Sequence, residues 1–210
     1  MVVVHTAMLR EFRLASAAVA RTLTSEKKRV RLVSRHLRFL CDLLHHHHQG
    51  EDDLLWPKLR QRTQPAALQV IEEVEAQHED IDAMLGRVEQ FRTAWAEDPG
   101  TSNRDRLVEA LTDLYAVLRD HLELEERVLL PLAATVLTTE EWHAVGAAGA
   151  ASIPKPALPL VLGMFAYEGD PVVVGGMLSS APLPVRVLVP LIGARAHARR
   201  ARQIHGTARP

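Results

Sequence analysis

Residues 106–131 read RLVEALTDLYAVLRDHLELEERVLLP. Leu107, Leu111, Leu114, Leu118, His121, Glu125 and Val128 recur there at spacings of three and four, which places them on one continuous helix face. A stripe of that length belongs in a helix-packed core, yet an imidazole and a carboxylate interrupt it. Working outward, the second long segment puts Val33, His36, Leu40, Leu44, His47, Glu51 and Leu54 on one face, after the cap-like Thr24-Ser25. The third gives Ile71, Val74, His78, Ile81 and Leu85, after Thr63 with Pro65 near the first turn. The first gives His5, Met8, Leu9, Phe12, Ala15, Val19 and Leu23. The breaks near TLTSEKK, QRTQPA and AEDPGTSN are short, so the pattern predicts an all-α protein, an up-down-up-down four-helix bundle over residues 1–137.

At 210 residues the chain can bury a sizeable core. Its formal net charge is -1, and although seven basic residues face two acidic ones from Pro154 onward, that imbalance is too small to predict a nucleic-acid partner. The single cysteine, Cys41, excludes an intramolecular disulfide and lies in a leucine-rich helical stretch, where a buried, inert thiol is expected. The N-terminal MVVVHTAMLREF lacks the apolar run of a secretory signal. LPLVLGMF and PVRVLVPLIG break well short of the ~20 residues a membrane span needs, so a cytoplasmic protein without a membrane partner is expected.

Each stripe carries a histidine where an apolar side chain would pack better. On two of them a glutamate follows four residues later, His47 with Glu51 and His121 with Glu125, so imidazole and carboxylate are neighbours on one helix surface. An ionised carboxylate in a bundle core is costly without a cation or hydrogen bonds. Together with His5 and His78 these pairs supply six candidate metal ligands from four helices, enough for two bridged ions. Within HHHHQGED the periodicity selects His47 as the inward residue and turns His45, His46 and His48 away, although His48 and Asp52 share the same i,i+4 spacing. His36 reads as a hydrogen-bonded core histidine. A rival ferritin-like di-iron or iron-storage pattern needs two Glu-x-x-His motifs. The chain has Glu75 with His78 and Glu140 with His143. Glu75, however, falls off its stripe, and Thr138 with Glu141 looks like a capping box opening a new helix.

At VVHTAMLREF, LLHHHHQGEDDLLWP, EAQHEDIDAML and LRDHLELEERVLLP the sequence resembles the hemerythrin-like (HHE cation-binding) family, specifically its actinobacterial-type members with an H…HxxxE…H…HxxxE arrangement. The resemblance implies a non-haem centre of two Fe ions. Glu51 and Glu125 would bridge them, His5 and His47 would bind one iron, and His78 and His121 the other. Oxygen-carrying hemerythrins have HxxxH on the third helix, where this chain has Val74 before His78, and HxxxxD on the last, where this chain has HxxxE. The place left by Val74 falls to solvent, a small molecule or Asp82. The implied partner is a small diatomic ligand or peroxide. The implied chemistry is catalase- or peroxidase-like consumption of hydrogen peroxide, NO or O2, with reversible O2 or NO binding or sensing as the alternative. Tyr115 lies off the ligand face and is read as packing.

Residues 138–210 read as a helical extension that folds back on the bundle, with a Pro-rich hinge at SIPKPALPL. Leu183, Val187, Leu188 and Leu191 are expected to dock while Arg195, Arg199, Arg200 and Arg202 stay solvated. His143, His197 and His205 are expected at the surface or hinge, outside any ligand constellation.

Overall fold

The computed structural model describes residues 1–179 and 183–210, and among these it is helical with no strand. Four long helices, α1 (Val2–Ala20), α2 (Lys27–Leu54), α4 (Pro65–Glu97) and α5 (Thr101–Leu124), form the expected bundle. α1 packs on α5 and α2, and α4 on α2 and α5, which closes the ring of four. The short α3 (Trp56–Arg62) sits between α2 and α4. A π-helical turn at Glu125–Leu129 carries α5 into α6 (Leu130–Val136).

The helix ends follow local chemistry, with some departures from the sequence expectation. Thr24 and Ser25 do not cap α2, whose N-cap is Glu26, and the Glu26 carboxylate accepts from the Leu23 N–H instead. Thr63 closes α3 by donating its hydroxyl to the Leu59 carbonyl rather than capping α4, which opens on Pro65. Leu23 lies beyond the end of α1 and is exposed. The π turn inserts one residue into the helical register. Leu129, not Val128, therefore continues the buried face.

The core is split in two. The larger apolar cluster includes Leu44 of α2, Ile81 of α4 and Leu118 of α5, and the smaller one includes Leu55, Val74 and Leu129 further along the same direction. Between them, on every helix of the bundle, lies a polar layer.

Beyond the bundle come α7 (Thr139–Ser152), α8 (Leu158–Glu168), α9 (Pro171–Met177) and α10 (Leu183–His205). The Thr138/Glu141 capping box starts α7. α7 packs on α2, α8 on α1, and α10 on α8, α1 and α2. The docking face of α10 differs from the one the sequence suggested: Leu183, Val187, Leu188 and Leu191 are exposed, whereas Gly193, His197, Ala201 and Ile204 are buried. The cause is a close helix crossing, since a Cβ on Gly163 would stand 2.1 Å from the Gly193 carbonyl oxygen. Small residues let the backbones meet, and the large aliphatics are left on the far side. Arg195, Arg199 and Arg202 are exposed as expected, while Arg200 is half-buried. No single helix among the described residues is long and apolar enough to cross a membrane.

Candidate metal centre

The polar layer brings together all six of the predicted residues. His5 comes from the first turns of α1, His47 and Glu51 from the end of α2, His78 from the middle of α4, and His121 and Glu125 from the junction of α5 with the π turn. His5, His47, Glu51 and Glu125 each offer a ligand atom within 4.8 Å of the others'. His5 Nε2 lies 3.7 Å from Glu125 Oε2, His47 Nε2 lies 3.3 Å from Glu51 Oε1, and Glu51 Oε2 lies 3.8 Å from His78 Nε2. Glu51 thus stands between the two halves of the layer. The π turn aims Glu125 inward and, one residue on, sets Glu126 against His5.

One expectation is corrected. His48 does not turn away: it is 2% exposed, its ring stacks on that of His78 at 4.1 Å, and it forms a second group with His78 and His121, again with ligand atoms within 4.8 Å. Positions 47 and 48 differ by about 100° in helical phase. The layer is wide enough to take both rings, which themselves lie 5.7 Å apart. His45 and His46 do point outward, the first to Asp82 Oδ1 at 3.1 Å and the second to the Asp42 carbonyl. Asp82 is thereby on the surface with His45, and not at the place that Val74 leaves. Val74 itself is fully buried in the smaller apolar cluster. The ferritin-like pattern does not assemble: Glu75 pairs with Arg60, and Glu140 and His143 are exposed.

The hydrogen-bond pattern is informative. His5 Nδ1 meets Glu126 Oε1 at 2.9 Å, His78 Nδ1 meets Asp52 Oδ1 at 2.7 Å and His121 Nδ1 meets Gln77 Oε1 at 3.0 Å. These acceptors fix each ring with its Nδ1 proton outward and leave Nε2 as a lone-pair donor facing the layer. The facing atoms are then orphans: Nε2 of His5, His47, His78 and His121, both nitrogens of His48, and all four carboxylate oxygens of Glu51 and Glu125 are buried without a hydrogen-bond partner. Buried polar atoms in folded proteins are ordinarily satisfied. Such a concentration of orphans within one layer has the donor chemistry of a cation site.

The positioning acceptors were not singled out from sequence, though a signal was present. Asp52 and Glu126 each directly follow the glutamate of an HxxxE pair, and Gln77 directly precedes His78.

The electrostatics agree with this donor set. Burial, followed by the neighbouring imidazoles, holds His47 and His48 well below the ordinary histidine range, and burial takes His121 down to about 3. These rings are neutral at neutral pH, as metal coordination requires. Burial and then the adjacent Glu125 push Glu51 well above the usual carboxylate range, so in the absence of a cation its charge is strongly disfavoured.

No curated protein and no solved structure matches the chain. Residues 1–133, which contain every residue of the polar layer, match the family model of the Hemerythrin HHE cation binding domain, and the chain belongs to that family.

Proposed function

We propose that the polar layer holds two non-haem iron ions and that the protein uses them on a small oxidant, with hydrogen peroxide as the preferred substrate and NO and O2 as related ones. His5 and His47 would hold one ion and His78 and His121 the other, with Glu51 and Glu125 as the carboxylate ligands. His48 adds a nitrogen on the side of His78 and His121, where Val74 offers none. The observation that carries this reading is the set of inward Nε2 and carboxylate orphans, with the outward Nδ1 atoms of His5, His78 and His121 already engaged. Imidazole and carboxylate donors suit iron, and the family resemblance favours it over zinc or manganese.

When bound, adjacent irons supply electrons and open coordination positions to a small oxidant. The chain's own residues orient and move protons around that centre. Asp52 and Glu126 each hold an imidazole Nδ1 proton and reach solvent on their other side, with side chains 42% and 32% exposed, so they connect the buried rings to bulk water. Disproportionation of two peroxide molecules into water and oxygen needs no outside reductant, because one peroxide is oxidised to O2 and supplies the electrons that reduce the other to water, and the accompanying proton movement suits a site with two such connections. Reversible O2 or NO binding without turnover is the second reading. It draws support from the two apolar clusters that flank the layer and from Trp56, whose ring lies 5.7 Å from that of His78, because a dry pocket protects a bound diatomic molecule.

The test is elemental analysis of untagged protein together with its absorption spectrum before and after peroxide. About two irons per chain and release of oxygen are expected on the site chemistry above. His47→Ala or Glu125→Ala should lose most of the metal and His46→Ala should not, and equal retention in all three sinks the ligand assignment.

A further inference from the structure

A second group of titratable side chains, two buried and one half-buried, lies about 16 Å from the first, counted along α2 from His47 back to His36. Glu11 of α1, His36 of α2 and His205, the last residue of α10, offer ligand atoms within 4.8 Å of one another. The place of two of them is unexpected. Glu11 was on no predicted stripe, and His205 was expected at the surface. His197, also expected at the surface, is 4% exposed and has its Nε2 at 3.9 Å from Glu11 Oε1.

His36 was expected to be a satisfied core histidine, and it is not. It is 2% exposed, and neither ring nitrogen has a hydrogen-bond partner, a condition it shares with the buried Nδ1 of His205. His36 Nε2 approaches Glu11 Oε2 at 3.3 Å without the alignment of a hydrogen bond. Donors at 2.0–2.1 Å from a tetrahedral ion stand about 3.3 Å from each other. That separation matches two ligands on one cation, and a direct His36–Glu11 ion pair shares it.

A simple ion pair accounts for the group less well. The other Glu11 oxygen, Oε1, already accepts from Arg10 Nε and Nη2 at 3.1 and 2.8 Å, so its charge has a partner. A protonated His36 would bury two N–H donors with one carboxylate oxygen to receive them. Arg10 does not forbid a cation, because Glu168 Oε2 stands 3.4 Å from its Nη1 and offsets its charge.

We propose that Glu11, His36 and His205 form a second metal site, taking one divalent cation of the zinc or iron(II) class that pins the end of α10 to α1 and α2. Two imidazoles and one carboxylate are a donor set for such ions. The site joins residues far apart in the chain, and Arg29, which donates to the carbonyls of Gln203 and Ile204, holds the same end of α10 in place. Cation binding here couples docking of the C-terminal helix to metal supply.

The experiment is a cobalt(II) titration of the untagged, metal-free 210-residue chain in the presence of a competing chelator that empties weak surface histidines. It compares wild type with His205→Ala and His36→Gln, with circular dichroism as the check on folding. His205 is half-buried and ends its helix, so His205→Ala leaves the bundle core untouched. Each variant is expected to bind one equivalent fewer than wild type, and the end of α10 to be protected from protease by cobalt in wild type alone. A folded His205→Ala or His36→Gln that binds as many equivalents as wild type overturns the proposal. The outcome is separable from the polar-layer reading: if that layer held no metal, wild type would bind one equivalent here and His205→Ala none.

Discussion

Replacing Glu51 by glutamine should stabilise the metal-free protein and destabilise the metal-loaded one. The Glu51 side chain is fully buried, neither oxygen has a donor, and burial with Glu125 nearby pushes its carboxyl group well above the usual range. Without metal, the folded protein at neutral pH must hold either a proton taken against the solution or an unpaired charge. Glutamine has nearly the same shape, carries no charge and can donate its amide toward Glu125. Leaving a buried polar group unsatisfied costs about 1–3 kcal/mol, more when charged. Recovering that amount should raise the melting temperature of metal-free protein by roughly 2–12 °C at 2–4 °C per kcal/mol for a chain of this size. The sign of the pH dependence follows from the raised carboxyl group. The unfolded chain releases this proton near the ordinary 4.5 while the folded chain keeps it, so wild type loses stability relative to Glu51→Gln as pH rises above 4.5. With metal present the order reverses, because a 100-fold weaker site removes roughly 2.7 kcal/mol of linked stability. Thermal unfolding by circular dichroism, with chelator and with iron(II), at pH 4.5 and pH 7, reads all of these. A metal-free Glu51→Gln protein that melts below wild type at pH 7 would refute the reasoning.

Four further outcomes follow from the geometry. His48→Leu removes two buried orphan nitrogens, so it should leave metal-free stability unchanged or raise it by about 1–3 kcal/mol while weakening metal binding, measured by chelator competition beside an unaffected His46→Ala. Gly163→Ala drives a methyl group into the Gly193 backbone and should cost about 1–3 kcal/mol or more, seen as faster proteolysis within α10 with the polar layer's metal content retained. Cys41 is 8% exposed and burial pushes its thiol up to about 12, so a disulfide reagent at pH 8 should find one thiol per chain in denaturant and essentially none in native protein. His121, held at about 3 against an ordinary 6.5, takes up its proton first in the unfolded chain. Metal-free Glu51→Gln protein, in which the opposing Glu51 proton is absent, should therefore lose stability as pH falls from 6.5 toward 3, read from denaturant midpoints, and a flat profile in that background would contradict the buried neutral ring.

The bundle was legible because helical periodicity is a local property: Ile71, Val74, His78, Ile81 and Leu85 are all buried, as their spacing required. The six polar residues of the layer were legible for the same reason, each being an exception to an apolar stripe. What was not legible depended on tertiary geometry. A strict stripe admits one residue per turn, so it chose His47 over His48, whereas the site accepts both. The π turn at Glu125–Leu129 has no sequence code of its own and shows only as Leu129 taking the place of Val128. The Glu11, His36 and His205 group joins positions with no sequence relation, and its third member arrives only because Gly163 and Gly193 let α10 approach. The small residues Gly193 and Ala201 share a helix face with His197 and Ile204, and a reading that started from them rather than from the large aliphatics would have found the docking face.

The placement of the two polar groups bears on how the bundle tolerates them. Each consists of side chains whose burial opposes folding when unpaired, and native stability amounts to only about 5–15 kcal/mol. Set side by side they would interrupt the larger apolar cluster in its middle. Instead Leu37, Leu40 and Leu44 of α2 separate His36 from His47, so each polar group is enclosed by apolar packing on its own account. The smaller cluster around Trp56, Leu59 and Ile71 closes the far side of the first group. α8 and α10 close the second, contributing Val161, Met164, Phe165 and Ile204 to the larger cluster. On this argument the helices beyond the bundle are needed for the second group to be buried at all. Truncation before α8 should then expose Glu11 and His36 to water, which relieves their unsatisfied burial but removes the third donor. The bundle should keep the metal of its polar layer and lose the other site completely.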